Sequence, residues 1–414
     1  MDSFEYVRSL CTAAKNAAPG FSSAPTAAKN AVLGRMAELL SDGKDEIIRA
    51  NRLDLSLAAE NRVPAPMLDR LKLDEKRIDS IAASLRELIQ LADPIGSGER
   101  TVRPNGLVIE RIRVPLGVVA IIYEARPNVT VDAAALCLKT GNACILRGGK
   151  EAINTNRALV SAMRKALAEN GFAPELIGLV DDTSRESSTA LMRMRGLVDL
   201  LVPRGGRGLI KSVVENADVP VIETGAGNCH LYVDASADLD MAVKVALNAK
   251  LSRPSVCNAI ETLLVHEDVA AEFLPRFVAS LTHPLEIRGC ERTRELIDCL
   301  PAAESDWDTE YDDYILAVKV VSGIDEAIAH INAHNTQHSE AIITRSMANA
   351  ERFRREIDAA AVYVNASTRF TDGGEFGFGA ELGISTQKLH ARGPMGLEAL
   401  TTTKYLVTGE GQVR

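Results

Sequence analysis

The sequence predicts an α/β protein with two parallel-sheet domains. The run Val118–Tyr123 is apolar or aromatic throughout and shows no alternation, as expected of a strand buried on both faces of a parallel sheet. Short runs of this kind alternate with helical patterns of roughly 10–15 residues, which indicates successive β-α-β units. The alternation starts again after Cys257, so we expect a second sheet of the same type in the later part of the chain.

Residues 24–92 are expected to form helices, because apolar side chains recur at helical spacing through Ala31–Leu40 and again through Ile78–Leu88. Further helices are expected at 156–169 and at Leu239–Lys250. From about residue 116 onward the helices are separated by short strands. The predicted strands are Val118–Tyr123, Ala143–Leu146, Ile177–Val180, Val198–Val202, Val219–Ile222, Glu261–His266, Tyr314–Val321, Glu340–Thr344 and Ala361–Asn365.

Two segments do not fit this plan. Thr101–Val114 contains the turn sequence Pro104-Asn105-Gly106 between two strand-like stretches, which is a hairpin signal. Thr401–Val407 near the C-terminus is also strand-like. They are expected to form either an arm that pairs with another subunit, giving a dimer or a tetramer, or a plain hairpin on the surface.

Composition and charge exclude several classes of protein. The net charge of −9 over 414 residues argues against a nucleic-acid surface. No apolar run approaches the roughly 20 residues of a membrane span, and the N-terminus lacks the pattern of a signal peptide. The seven cysteines are scattered and odd in number, which is typical of a reducing compartment. We therefore expect a cytoplasmic protein that binds neither membrane nor nucleic acid.

Cys257 is the first candidate for chemistry. It lies in the polar, proline-containing turn Ser252–Asn258, between a predicted helix and a predicted strand. A cysteine on a loop at the mouth of an α/β sheet is well placed to act as a nucleophile. Most free cysteines are instead small buried filler. The spacing alone leaves both interpretations open.

Two glycine-containing loops are candidates for binding phosphate. Gly205–Gly208 lies between a strand and a helix, where backbone N–H groups bind anions well, although a tight turn that needs glycine explains it equally. Arg147–Lys150 follows another strand and carries two cations, but it lacks the leading glycine and the Ser/Thr of a nucleotide P-loop. Its charges would either hold a phosphate or be solvated at the surface.

Two other patterns are weaker. His330, His334 and His338 would share one face of a continuous helix, but Asn335–Gln337 is typical of a helix end and no carboxylate or cysteine joins the pattern. We therefore predict no metal site. Glu223 lies on a Gly-rich loop after a predicted strand and is either a general base or an ordinary polar loop residue.

Several motifs together resemble a known family. In chain order they are Tyr123–Thr130, Arg147–Lys150, Val202–Gly206, Arg253–Asn258 with Glu261–Val265, Val364–Phe370, Gly374–Gly379 and His390–Pro394. These segments resemble those of the aldehyde dehydrogenase superfamily and, within it, of the γ-glutamyl phosphate reductases. They cover the chain nearly end to end and occur in the family's order.

The resemblance implies a fold and a division of the chain. The fold is aldehyde-dehydrogenase-like, with two Rossmann-type parallel-sheet domains and a small β-hairpin oligomerisation arm. The cofactor-binding domain is expected to comprise residues 1–100 and 116–228, and the catalytic domain residues 229–395. The arm would comprise residues 101–115 and 396–414.

The resemblance also implies a reaction. It is the NADPH-dependent reduction of L-glutamyl 5-phosphate to L-glutamate 5-semialdehyde with release of phosphate, the second step of proline biosynthesis from glutamate. Cys257 would expel phosphate and form a thioester. Two alternatives stay open, a non-phosphorylating NAD(P)-dependent aldehyde dehydrogenase and a catalytically silent relative that only binds. Glutamate 5-kinase, which makes the labile acyl phosphate, is a possible partner.

The catalytic residues follow from the same resemblance. A free thiol has a pKa of about 8.5, so Cys257 needs activation by a neighbouring cation such as Arg253 or by a helix dipole. The oxyanion donors are expected among the Cys257 N–H, Asn128 and Arg126. Glu223 matches the water-activating base of oxidising aldehyde dehydrogenases. An acyl-phosphate reductase has no water to activate, so no such role is expected here.

The resemblance assigns the cofactor-binding residues as well. Lys150 matches a position where the superfamily keeps a carboxylate on the adenosine ribose, and a cation there suits the 2′-phosphate of NADPH. Arg147 matches a ribose-side lysine, Glu310 matches a glutamate that holds the nicotinamide ribose, and Gly205 and Gly206 belong to the same site. The residues expected to bind the substrate are Arg126, Asn258, Asn365, Arg369 and Arg392.

Overall fold

The computed structural model describes residues 2–414, with residues 65 and 66 described by their backbone alone. The chain forms two compact units. The first unit comprises the chain through Glu223 together with Gly377–Gly383 and Met395–Arg414, and the second comprises Thr224–Phe376 and Ile384–Pro394. The chain thus passes into the second unit after Glu223, whereas we placed the domain boundary after residue 228.

The regular elements alternate along the chain. The helices are α1 (Ser3–Ser22), α2 (Thr26–Asp42), α3 (Lys44–Glu60), α4 (Ala65–Leu71), α5 (Glu75–Gln90), α6 (Pro127–Lys139), α7 (Ile153–Glu169), α8 (Arg185–Met192), α9 (Arg207–Asn216), α10 (Leu239–Leu251), α11 (Glu267–Ala279), α12 (Glu291–Arg294), α13 (Ile324–His334) and α14 (Met347–Glu356). The strands are β1 (Gly98–Val102), β2 (Val108–Pro115), β3 (Val118–Tyr123), β4 (Ala143–Arg147), β5 (Ile177–Leu179), β6 (Leu200–Arg204), β7 (Cys229–Val233), β8 (Ile260–His266), β9 (Glu286–Gly289), β10 (Leu300–Pro301), β11 (Ile315–Val321), β12 (Ser339–Ile343), β13 (Ala361–Val364), β14 (Ile384–Ser385), β15 (Gly393–Pro394) and β16 (Thr401–Thr408).

The first unit contains a parallel sheet with the strand order β5-β4-β3-β6. Every residue of β3 is buried, as its unbroken apolar run predicts. Ile122 of β3 pairs with Arg147 of β4 and with Pro203 of β6, so the three strands end at the same edge. Parallel α/β sheets bind ligands beyond the carboxyl ends of their strands. The loops that follow β3, β4 and β6 therefore lie where a ligand is expected.

The second unit contains a seven-stranded parallel sheet with the order β10-β9-β11-β8-β7-β12-β13. Apolar side chains cover both of its faces. One cluster joins β7, β8 and β11 to α10 and α11, with Phe273 and Phe277 fully buried. Another joins the sheet to α13 and α14 through Ile331 and Phe353. This two-sided burial explains why the strands are nearly continuous apolar runs.

The two segments outside this plan form one antiparallel sheet. β2 lies between β1 and β16, so the hairpin and the C-terminal strand pair with each other inside the first unit. Gly106 has a φ of +89°, which an L side chain rarely adopts and which makes the hairpin turn possible. Val102, Tyr405 and Val407 are exposed on this sheet.

The prediction of a strand at Val219–Ile222 is wrong. Only Val221 forms a bridge, to Leu201, and the pairing ends there. Pro220 accepts a hydrogen bond from Leu201 but has no N–H to donate, so the segment cannot extend a regular ladder. The other predicted strands are confirmed within a few residues, with β6 displaced toward the C-terminus. The short strands β9 and β10 were missed because they carry few apolar residues.

Candidate active site

Cys257 lies on the loop between α10 and β8, in the second unit. The helix begins at an Asp238 side chain that accepts the N–H of Met241, and it ends at Leu251. Pro254 cannot continue the helix because it has no N–H to donate. A turn closed by the Ala259 N–H and the Val256 carbonyl, 2.9 Å apart, then leads into β8. The Cys257 side chain is half-buried in this turn.

The backbone of Cys257 is packed against the segment 227–229. A Cβ atom on Gly227 would overlap the carbonyl group and Cα of Cys257, so only glycine permits this approach. The Cys229 thiol donates to the Cys257 carbonyl at 3.1 Å. Burial raises the pKa of Cys229 well above its usual range, so this thiol stays protonated and acts as a donor. Gly227 and Cys229 hold the loop in place but were missed from the sequence.

Asn258 anchors the other side of the loop. Its side-chain amide donates to the carbonyls of Arg369 at 3.2 Å and Thr371 at 3.0 Å. Its side-chain oxygen accepts from the Arg369 guanidinium, and its own carbonyl accepts from Thr368 Oγ1 at 2.6 Å. Because every polar group of this buried side chain is used, Asn258 fixes the Thr368–Thr371 segment beside Cys257.

Two arginines lie on or against the loop that carries Cys257: Arg253 belongs to it, and Arg369 packs against it. Arg369 is half-buried, and its Nε donates to Ser252 Oγ at 3.1 Å. The pKa of Arg369 is lowered by burial and by repulsion from Arg253, while the sulfur of Cys257 opposes this shift. Arg253 itself is exposed. A cation near a cysteine favours its thiolate form, which is the reactive one.

Glu310 lies near the same loop. It follows a 3-10 turn at Glu304–Asp308, and its Oε1 accepts the Gly227 N–H at 2.6 Å. The neighbouring Asn228 donates to the carbonyls of Trp307 at 2.7 Å and His334 at 2.8 Å, which fixes the turn. Within the second unit, Glu310 is thus tied to the glycine that contacts Cys257.

The other residues of the second unit that were predicted to bind substrate already make hydrogen bonds to other protein groups. Asn365 has a φ of +58°, and its side chain bonds both the N–H and the carbonyl of Thr344 at 2.9 Å. The Arg392 guanidinium donates to Asp358 Oδ1 at 2.7 Å. Their roles toward the substrate stay predictions, and each would have to give up or share these contacts.

The cofactor candidates of the first unit lie at the carboxyl edge of its sheet. Lys150 is exposed and begins a short 3-10 turn after β4. Arg147 at the end of β4 donates to the carbonyls of Gly148, Thr183 and Ser184 at 3.0–3.1 Å. Burial lowers the pKa of Arg147, but the side chain remains a cation that ties two loops of this edge together.

Asn128 and Arg126 follow β3 at the same edge. Arg126 is the N-cap residue of α6, and Asn128 lies exposed in its first turn. Asn128 Nδ2 donates to Asp132 Oδ2 at 3.1 Å. Burial raises the pKa of Asp132 to about 6, with this hydrogen bond opposing the rise. The amide of Asn128 is therefore held on the helix while remaining accessible.

Glu124 was missed from the sequence. Gly205 and Gly206 form the turn between β6 and α9, and Glu124 Oε1 accepts the Gly206 N–H at 3.1 Å. A Cβ on Gly205 would press against the Glu124 side chain at 2.6 Å. A carboxylate directly after a buried strand, at the edge where α/β sheets bind ligands, was the available signal.

The remaining candidates do not form a site. Glu223 is half-buried and is the last residue of the first segment of the first unit. His330 and His334 lie on α13 while His338 lies beyond it, and Lys319 Nζ is 3.2 Å from His330 Nδ1, where a metal ion would be repelled. Within residues 2–414, no three His, Cys, Asp or Glu side chains are grouped to hold a metal.

All seven cysteines within residues 2–414 are free thiols. No described helix is long and apolar enough to cross a membrane.

Known proteins share this sequence and architecture. The profile of the aldehyde dehydrogenase family matches residues 3–287 and 308–406. A γ-glutamyl phosphate reductase of Clostridium perfringens is 58% identical over 404 residues, covering 97% of each chain. One from Carboxydothermus hydrogenoformans is 56% identical, covering 99% of each. The crystal structure of a γ-glutamyl phosphate reductase from Thermotoga maritima superposes with a TM-score of 0.97 at 51% identity, covering 99% of both chains.

Proposed function

The chain belongs to the aldehyde dehydrogenase family, among its γ-glutamyl phosphate reductases, and from this premise we propose how its residues carry out the reaction. The enzyme reduces L-glutamyl 5-phosphate to L-glutamate 5-semialdehyde and releases phosphate, which is a step of proline biosynthesis. The observation that carries the proposed mechanism is the half-buried Cys257 thiol on a fixed loop beside two arginines.

Cys257 is the nucleophile. Its thiolate attacks the acyl carbon of the substrate, a C–S bond forms, and the C–O bond to phosphate breaks, which leaves a thioester. Arg253 and Arg369 favour the thiolate and, being cations, also attract the phosphate and carboxylate groups of the substrate. A nicotinamide cofactor, once bound, would supply the hydride that reduces the acyl group of the thioester. Collapse of the resulting thiohemiacetal returns the Cys257 thiolate and frees the aldehyde.

The tetrahedral oxyanion requires hydrogen-bond donors. We assign this task to the backbone N–H of Cys257 and to the side-chain amide of Asn128, with Arg126 as a further donor. The turn closed by the Ala259 N–H and the Val256 carbonyl holds the backbone around Cys257, and the first turn of α6 holds Asn128, each within its own unit. Arg126, Asn258, Asn365, Arg369 and Arg392 are the proposed substrate-binding residues. Asn258 acts mainly by fixing Arg369.

The cofactor is proposed to bind at the carboxyl edge of the first sheet. Gly208 in the first turn of α9 is exposed, and a Cβ there would meet nothing within 4 Å, so a phosphate can approach the helix N-terminus at this point. The Gly206 N–H is already bonded to Glu124 and would have to exchange that partner. Lys150 would contact the 2′-phosphate of NADPH. Arg147 would position the ribose side of the cofactor through the two loops that it ties together, and Glu310 would hold the nicotinamide ribose.

Lys150→Glu tests the cofactor preference. Losing a charge-assisted hydrogen bond and placing a carboxylate near the 2′-phosphate should raise KM for NADPH about 10- to 100-fold, with little change for NADH. Steady-state kinetics with both cofactors measure this. The matched control is Lys165→Glu, because the Lys165 side chain on α7 is 62% exposed. This control should change neither the KM for NADPH nor the KM for NADH. Equal losses with both cofactors would refute the assignment.

Phosphate dependence tests the reaction itself. In the oxidising direction with NADP⁺, the thioester should be released by phosphate, so oxidation of L-glutamate 5-semialdehyde should require phosphate or arsenate. Glu223 favours the alternative of a non-phosphorylating aldehyde dehydrogenase, since it matches the water-activating base of such enzymes. A rate that ignores both anions would establish that alternative. Under the phosphorylating mechanism, Glu223→Gln should leave the phosphate-dependent rate unchanged. Any turnover of the semialdehyde by the wild-type protein would also exclude the alternative of a catalytically silent binding relative.

We also propose an oligomeric state, a cellular location and a partner enzyme. The sheet formed by β1, β2 and β16 exposes apolar side chains and offers the edge of β1 for pairing, so it is the proposed arm of a homodimer or homotetramer. Seven free cysteines, of which Cys257 is the proposed nucleophile, suit a reducing compartment, and this supports a cytoplasmic location. A glutamate 5-kinase is the proposed source of the labile acyl phosphate.

A further inference from the structure

A buried ion pair joins the two ends of the Cys257 loop. Lys250 lies in the last turn of α10, and Glu261 is the second residue of β8. Lys250 Nζ lies 2.5 Å from Glu261 Oε2, and the side chains are 0% and 1% exposed. The pair therefore closes the loop at its base, where its ends leave the helix and enter the strand.

Such a pair is a costly way to stabilise a fold. Burial raises the pKa of Glu261 to about 8 and lowers the pKa of Lys250, because each charge has lost its water. Replacing buried ion pairs by uncharged residues of similar size is often neutral or stabilising. Stability alone therefore does not account for these two residues, and the neighbouring groups indicate another role.

The pair also contacts the segment that carries Glu310. Glu261 Oε1 accepts the Asp312 N–H at 3.4 Å, and Lys250 Nζ lies 5.9 Å from the centroid of the Tyr311 ring. One carboxylate oxygen of Glu261 thus faces the loop's own helix, while the other faces residues 311–312.

This segment leads back to the nucleophile. Glu310 accepts the Gly227 N–H at 2.6 Å, and the Gly227 backbone lies against the Cys257 carbonyl. The contacts form a closed circuit in the second unit, from the base of the loop through residues 310–312 and Gly227 to Cys257. We therefore expect a shift in any of these contacts to move the thiol relative to Glu310.

We propose that Lys250 and Glu261 are positioning residues for Cys257, which fix the thiol-bearing loop against the segment that carries Glu310. This inference rests on the proposed nucleophilic role of Cys257. Both side chains are buried in the protein, so they act through the backbone of the loop and not by contact with substrate. The pair joins Glu261, in the motif segment that follows the cysteine turn, to Lys250, which lies in none of the motifs that carry the resemblance.

The test is the double variant Lys250→Met/Glu261→Gln. It removes both charges, keeps similar side-chain volumes and retains an acceptor for the Asp312 N–H. We expect kcat to fall about 10- to 100-fold, as for a reacting group displaced by about 1 Å, while KM for NADPH stays within about twofold. The rate at which iodoacetamide alkylates Cys257, read by peptide mass, should fall as well. That rate does not depend on the enzymatic reaction, so it separates failure of this inference from failure of the proposed function.

The matched control is Lys29→Met/Asp93→Asn in the first unit. It removes a second buried ion pair, with Nζ and Oδ2 2.7 Å apart and side chains 1% and 6% exposed, and it should leave kcat and alkylation unchanged.

If the Lys250/Glu261 double variant does not fold, Glu261→Asp replaces it, because this variant keeps both charges and shortens the link by one methylene group. Its kcat should fall severalfold. Values within about twofold of wild type in the folded variant, or an equal loss of kcat in the control, would overturn the proposal.

Discussion

Replacing Cys257 by alanine is expected to abolish reduction of L-glutamyl 5-phosphate while sparing cofactor binding. Without the thiolate no thioester forms, and kcat should fall by roughly 10⁴-fold or more, as when other catalytic nucleophiles are removed. The cofactor candidates Lys150, Arg147 and Gly206 do not depend on this side chain. Initial-rate assays with NADPH oxidation as the readout, together with fluorescence titration of NADPH, measure both parts of the expectation.

The matched control for this experiment is Cys299→Ala. Cys299 is also a half-buried free cysteine of the second unit, but it lies after α12 and away from the Cys257 loop in sequence. Its loss should leave both kcat and NADPH binding essentially unchanged. Substantial reduction of the acyl phosphate by the Cys257→Ala protein would refute the thioester mechanism. Loss of NADPH binding in the same protein would instead point to a structural role for Cys257.

Replacing Gly227 by alanine is expected to have the next largest effect. The added methyl group would overlap the backbone of Cys257, and backbone cannot move aside as the end of a flexible side chain can. The loop must therefore shift, which should lower kcat about 100-fold and the free energy of unfolding by about 1–3 kcal/mol. Steady-state kinetics and thermal unfolding measure the two quantities.

Gly20→Ala is the control for added volume and lost backbone freedom. Gly20 lies in α1, and a Cβ there would meet nothing within 4 Å. The substitution should raise stability by a few tenths to about 1 kcal/mol, since alanine is the better helix former, and it should leave kcat unchanged. A Gly227→Ala enzyme with the wild-type kcat would show that the close approach to Cys257 has no part in catalysis.

The buried strands were the most predictable part of the fold. β3 is buried on both faces of its sheet, and a continuous apolar run is the sequence pattern of that burial. Val219–Ile222 has the same apolar composition, yet Pro220 removes the donor that a ladder needs. Composition thus indicates burial, whereas pairing depends on which backbone groups are available.

The candidate site was only partly predictable for a related reason. Cys257 and Lys150 are reactive or charged groups on loops, and such residues are visible in a sequence. Gly227 matters because another stretch of backbone lies against it, and Lys250 and Glu261 matter because they meet across a loop. Each of these depends on a contact between residues 11 to 30 positions apart in the chain, which the local motif does not reveal.

The path of the chain has a consequence for the way the protein is made. The first unit is completed only by Gly377–Gly383 and Met395–Arg414, so its last segment, Met395–Arg414, leaves the ribosome after the whole of the second unit has been synthesised. A chain that stops after Pro394 would contain every segment of the second unit but would lack β16, leaving one edge of β2 unpaired. Because an unpaired edge invites association with other strands, truncated products should aggregate through the unit that was begun first.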